Sequence, residues 1–96
     1  MSRRVHSAKF DADALAKAFG RGVRIVRKQK GIRQTDILID TGIAQQTISN
    51  IESGRASPSL VSAVAIACSL GVSVDRIVRI GLEAKEQCQK RIGARR

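Results

Sequence analysis

Apolar residues recur along this chain at helical spacing. Leu15, Phe19, Val23 and Val26 follow one another at steps of four, four and three, which lays them on one face of a helix. Asp11 or Asp13 can cap that helix, and Gly31 stops it after about Lys30 as a left-handed cap. A short second helix is predicted over Gln34–Thr41, ended by Gly42, with Ile43 filling the turn. A third is predicted over Gln45–Ser53 and closed by Gly54. Residues 55–57 read as a loop. Pro58 suits the start of a fourth helix, because its ring fixes φ near the helical value. That helix runs to Leu70 and Gly71 ends it. Ser73 then caps a fifth helix starting at Val74. Residues 1–9 read as a polar, basic arm and residues 93–96 as a frayed tail. Five helices without strand-like alternation predict an all-α domain.

The third helix is the informative one. At about 100° per residue, Gln45, Gln46, Ser49, Asn50 and Ser53 fall on one side, while Thr47, Ile48, Ile51 and Glu52 fall on the other. The first side is uncharged and rich in hydrogen-bonding groups. An Asn or Gln amide offers a donor and an acceptor side by side, which matches N6 and N7 of adenine in the major groove of DNA. Two short helices joined by a glycine turn, the second with such a face, describe a helix-turn-helix over residues 34–53.

Two further apolar patterns exceed what a small core needs. In the fourth helix, Leu60, Ala63, Val64, Ala67 and Leu70 fit an ordinary buried stripe, and Val61, Ala65 and Cys68 form a second. In the C-terminal segment, Ile77, Ile80, Ala84, Cys88 and Ile92 share one helical face. Gly81 weakens that helix at its middle. The second stripe and the C-terminal face together are a candidate dimer or partner surface; the bland alternative is that the segment folds back on its own domain.

Composition sharpens this reading. In 96 residues, 18 Lys and Arg against 8 Asp and Glu give a formal charge of +10, which favours a polyanionic partner. The length suits one domain. The two cysteines, Cys68 and Cys88, have no ligand-spaced neighbours, so neither a disulfide framework nor a metal site is expected. Residues 56–74 carry no charge, but Pro58, Gly71 and several serines break their apolar content, which argues against a membrane span. His6 is the one histidine, and no nucleophile has a partnered base, so no enzyme and no cofactor are expected. A cytoplasmic protein is the expectation.

Residues 19–78 resemble the lambda-repressor-like, Cro/C1 (XRE-type) helix-turn-helix family. The resemblance is carried by Gln34, Gly42, Ile48, Glu52, Gly54, Pro58 and the run Leu70-Gly71-Val72-Ser73, and the run Gln45-Gln46-Thr47-Ile48 resembles a lambdoid recognition helix. The resemblance implies a five-helix DNA-binding domain with a C-terminal helical extension. It implies that Gln45, Gln46 and Asn50 touch base edges, with Ser49 beside them, and that Thr47 meets a base methyl or a phosphate. Gln34 then grips a phosphate, and Arg33, Ser53, Arg55 and Ser57 contact the DNA backbone. Arg27 and Glu52 fall on positions that pair as a structural salt bridge. Leu38 departs from the family's usual Ala at the crossing of helices two and three, and Arg33 and Ala44 replace its usual capping residues.

The domain organisation that follows is a basic arm over 1–10, a DNA-binding domain over 11–80 and a helical extension over 81–96. The leading functional expectation is a dimeric repressor or dual regulator of a phage-type or mobile-element operon, reading two half-sites of double-stranded DNA. The alternative is an antitoxin that binds a toxin partner as well as its operator.

Overall fold

The computed structural model describes residues 11–94, with side chains described over residues 11–85. Five helices follow in order: α1 (Ala12–Gln29), α2 (Gln34–Thr41), α3 (Gln45–Ser53), α4 (Leu60–Leu70) and α5 (Val74–Ala94). The described residues contain no strand. The basic arm at 1–10 and Cys88 lie outside what is described. Helix α1 is the hub. It packs mainly on α5 and on α3, while α2 bridges α3 and α4.

The core is aliphatic. Val23, Ile37, Ile48, Ile66 and Ile77 are fully buried, with Ile51 and Leu70 nearly so, and Phe19 is the aromatic among them. Burying each such side chain contributes about 1.5–3 kcal/mol. Leu38, Ile32 and Ile43 pack at its edge. Leu38 is thus accommodated at the margin of the hydrophobic layer.

Several helices approach so closely that side chains are excluded. A Cβ on Gly20 would be driven into the carbonyl oxygen of Ile51 in α3. A Cβ on Gly22 would meet the carbonyl of Ile77, and one on Gly81 would meet that of Ala18. Gly81 therefore does not interrupt α5. It lets α5 lie directly on α1, and the helix runs on through it to Ala94. Arg21 reinforces this crossing by donating from Nε to the carbonyl of Gly81 at 3.1 Å.

The fourth and fifth helices correct four expectations. Helix α4 begins at Leu60 rather than at Pro58, because Ser59 is the cap: its hydroxyl accepts the N–H of Ser62 at 3.0 Å. Leu60 and Val64, expected in the core, are 79% and 45% exposed. The inward stripe is Ala63, Ile66, Ala67 and Leu70 instead. Ile66, absent from both predicted stripes, sets that face, and Val64 then lies about 100° round the helix from Ala63. Ile77, expected on a partner surface, is wholly inside its own domain, where it packs in the common core. Ile80 is half-buried and packs on the same core, and Ala84 is half-buried. Among the described residues no single helix is long and apolar enough to cross a membrane.

Candidate nucleic-acid interface

The recognition helix is set by glycines at both flanks. Gly42 and Gly54 adopt φ of 77° and 83°, left-handed values that cost other residues a steric penalty. The turn before α3 is further tied by Thr41. Its hydroxyl donates to the carbonyl of Ile37 at 2.7 Å and accepts the N–H of Ile43 at 3.1 Å. After α3, the backbone N–H groups of Arg55 and Ala56 both reach the carbonyl of Asn50, at 2.9 and 3.2 Å. The loop that follows α3 is thereby folded back against the helix.

Ile48 and Ile51 anchor the inner side of α3, being 0% and 1% exposed, and that burial turns the amides outward. Gln45, Gln46 and Thr47 are exposed, and Ser49 and Asn50 are half-buried. Thr47, which the helical projection placed with the isoleucines, lies at the margin in solvent. Asn50 Oδ1 accepts from Gln46 Nε2 at 3.2 Å and from Arg55 Nη1 at 3.4 Å. Gln46, Asn50 and Arg55 thus form one cluster. Ser53 and Ser57 are exposed beside it.

A second network runs from Glu52, near the end of α3, to Gln45 at its start. Glu52 is buried at 7% exposure and receives Arg27 through two bonds, Nε to Oε2 at 2.7 Å and Nη2 to Oε1 at 3.0 Å. Arg27 also donates from Nη1 to the carbonyl of Ile32 at 3.1 Å, so one guanidinium ties α1, α3 and the α1–α2 turn together. Gln34 Nε2 donates to Glu52 Oε1 at 3.1 Å, and Gln34 Oε1 accepts from Gln45 Nε2 at 3.3 Å. Charge-assisted, bidentate pairs of this kind are the strong ones.

Helix α2 lacks a capping Ser or Thr, but Asp36 supplies half of a capping box. The backbone N–H of Arg33 donates to Asp36 Oδ2 at 2.8 Å, and the guanidinium of Arg33 stands 3.6 Å away. The backbone bond is the main reason the Asp36 carboxyl is held below its ordinary range; slight burial opposes it, and the positive charge of Arg33 adds to it. The rest of the Arg33 side chain projects into solvent.

An open cleft between α1 and the start of α2 is lined by Arg24, Arg27, Lys28, Arg33, Gln34, Thr35 and Gln45. It joins four cations to the first residue of the recognition helix. Arg24, Lys28 and Thr35 carry no DNA role in the sequence reading. The i, i+4 spacing of Arg24 and Lys28 was the available signal.

An uncharged amide face turned outward by buried isoleucines, beside a basic cleft, defines a helix-turn-helix DNA-binding regulator. Residues 23–77 match the family model described as HTH_3, Helix-turn-helix. The chain belongs to this Cro/C1 (XRE-type) family of DNA-binding transcription regulators. It is 32% identical over 59 residues to the uncharacterised HTH-type transcriptional regulator y4dJ of Sinorhizobium fredii, covering 62% of this chain and 77% of that protein. It is 43% identical over 49 residues to an uncharacterised HTH-type transcriptional regulator of Methanothermobacter thermautotrophicus, covering 51% and 71%. Among solved structures, the clp gene regulator ClgR of C. glutamicum shares the fold at a TM-score of 0.68 and 23% identity, over 73% of this chain and 91% of that one. The restriction-modification controller protein C.AhdI of Aeromonas hydrophila aligns at 0.60 and 27% identity, over 66% and 94%.

Proposed function

We propose that this chain is a sequence-specific, dimeric repressor or dual regulator of a small phage-type or mobile-element operon, its own promoter included. The outward placement of Gln45, Gln46 and Thr47 over a buried Ile48 and Ile51 is the observation that carries this reading. In it, Gln45, Gln46, Asn50, Ser49 and Thr47 meet base edges. Arg33, Gln34, Ser53, Arg55 and Ser57 hold the DNA backbone, with Arg24 and Lys28 of the cleft beside them. Similarity to a restriction-modification controller supports a small regulator of this type. Such a protein works in the cytoplasm.

The dimer surface in this proposal is on α5. With Ile77 turned inward, the open apolar surface is a groove formed by Leu15, Val74, Val78 and Leu82. The adjacent Asp75–Arg79 pair, 2.9 Å apart, gives a two-fold copy opposite charges to meet. Two recognition helices would then read half-sites about 34 Å apart. Light scattering at micromolar concentration should give the mass of two chains; a one-chain mass counts against the dimer. Leu60, Val61 and Cys68 of α4 stay exposed, with Ala65 beside them, and favour the second reading, an antitoxin that offers α4 to a toxin.

The DNA-reading role is tested on a site selected from random duplexes. Gln45→Ala should lower affinity for that site by about 1–3 kcal/mol and relax base choice at one position. Binding should weaken steeply with salt, because each neutralised phosphate releases counterion. An equal loss on selected and random DNA contradicts base reading by Gln45.

A further inference from the structure

We infer that Lys17 of α1 is a further DNA-backbone contact, which takes a phosphate at the C-terminal end of the recognition helix. The inference extends the DNA-reading proposal and rests on it. Lys17 lies ahead of the family-matched residues 23–77, and no role comes to it from there.

The placement follows from the way α1 crosses α3. Gly20 sets the α1 backbone against the carbonyl of Ile51, near the end of α3. Lys17 stands one turn earlier on α1, at the spacing that shares a face. Its stem runs over Gly54, the left-handed cap of α3. A Cβ built on that glycine would lie 3.2, 3.8 and 3.9 Å from Cγ, Cδ and Cε of Lys17. The side chain is thus laid along the corner where α3 passes into its loop. Ser53, Arg55 and Ser57, the proposed backbone contacts, are exposed at the same corner.

The other cations of α1 are engaged elsewhere. Arg21 donates to the carbonyl of Gly81, and Arg27 is bonded to the buried Glu52. Arg24 and Lys28 line the cleft that reaches Gln45, at the opposite end of α3. Lys17 carries the charge of α1 to the far end. A nine-residue helix is roughly 14 Å long, so the two groups meet different phosphates. The Lys17 side chain is 52% exposed, and its ammonium stands 3.2 Å from Asp13. An exposed pair at i, i+4 is weak, and the ammonium exchanges that carboxylate for a phosphate at little cost.

Lys17→Met keeps an unbranched stem over Gly54 and removes only the charge. On a duplex selected from random DNA, the wild type should bind more tightly than this variant. That advantage should shrink about 3.5-fold between about 50 and 200 mM salt, the effect of one phosphate contact. Selected and random duplexes should lose affinity alike, because phosphates carry no base identity. Lys17→Arg should keep the wild-type salt dependence. Replacing single phosphates by uncharged methylphosphonates then locates the contact. One position should weaken the wild type and leave Lys17→Met unaffected, and it should differ from the position that behaves so for Arg24→Gln. A lower urea midpoint with unchanged salt dependence makes Lys17 a cap of α3 and overturns the inference. So does a changed base preference, or the lack of any such phosphate. A wild type that binds no duplex sinks the DNA reading and Lys17 with it; a wild type that binds with a phosphate pattern identical to that of Lys17→Met sinks Lys17 alone.

Discussion

The two halves of α1 hold their neighbours by opposite means. From its first half to just past the middle, Gly20 and Gly22 bring the α1 backbone against the carbonyls of Ile51 in α3 and Ile77 in α5, and Gly81 of α5 lies on Ala18. Arg21 adds one bond to the carbonyl of Gly81, but no ion pair forms there and fit comes from missing atoms. In the second half, Arg27 crosses to Glu52 with bonds of 2.7 and 3.0 Å, and fit comes from a buried ion pair. Both contacts position α3, yet only the second continues outward, through Gln34, to Gln45 on the proposed DNA-reading surface. Close backbone contact fixes where a helix lies. Directional bonds can also fix what its side chains present.

The ion pair is the place to break the comparison hardest. Glu52 has a side chain 2% exposed, and Arg27 is 12% exposed. Glu52→Ala leaves the guanidinium buried without its partner, and unfolding stability should fall by about 3–5 kcal/mol. Replacing both partners, as Arg27→Met with Glu52→Met, should recover most of that loss, because buried pairs often exchange for apolar side chains at little net change. The double variant should nevertheless read DNA poorly. Urea titration and operator binding, measured on the same three proteins, check this. Stability and specificity that recover together would mean that the pair holds α3 in place and does nothing more.

The glycine half predicts a loss with no such rescue. Gly22→Val forces a branched side chain into the backbone of Ile77, and overpacking of this kind costs about 3 kcal/mol, the upper end of the usual range. Any gain in helix propensity offsets well under 1 kcal/mol of this. The urea midpoint should drop while base preference in the remaining folded protein stays the same. A valine variant as stable as the wild type shows that α1 and α5 can move apart freely.

This difference also explains what was legible in the sequence. Helix limits and the outward amides could be read because periodicity, glycine caps and side-chain chemistry are local properties. Arg27 and Glu52 could be placed because the family register pairs them. The glycine crossings could not, since a close approach is a property of two distant segments; Gly81 read as a weak point when α1 in fact lies on it. The assignment of Leu60, Val64 and Ile77 failed for a related reason. Apolar spacing gives a helix its stripe but not the direction from which the core arrives, and α4 and α5 are apolar enough to permit more than one choice. Arg24 and Lys28 carried a spacing signal, but the cleft they line exists only once α2 is docked.

The gentlest test is the cap of α2, where a local bond stands in for both devices. The backbone N–H of Arg33 and its nearby charge hold the Asp36 carboxyl below its ordinary value. The unfolded chain therefore takes up this proton more readily than the folded one. The contribution is fully present above the ordinary Asp value of about 3.9 and is lost as pH falls through the lower folded value. Because the cap is local and exposed, it fixes the start of α2 without reaching the core. Asp36→Asn keeps an oxygen for the N–H of Arg33 but removes the charge, so its urea midpoint should lie slightly below that of the wild type at about pH 6. The gap should narrow as pH falls below about 4 and the wild-type carboxyl takes up its proton. A gap that is constant across this range would assign the cap to hydrogen bonding alone, with the negative charge at the helix start contributing nothing.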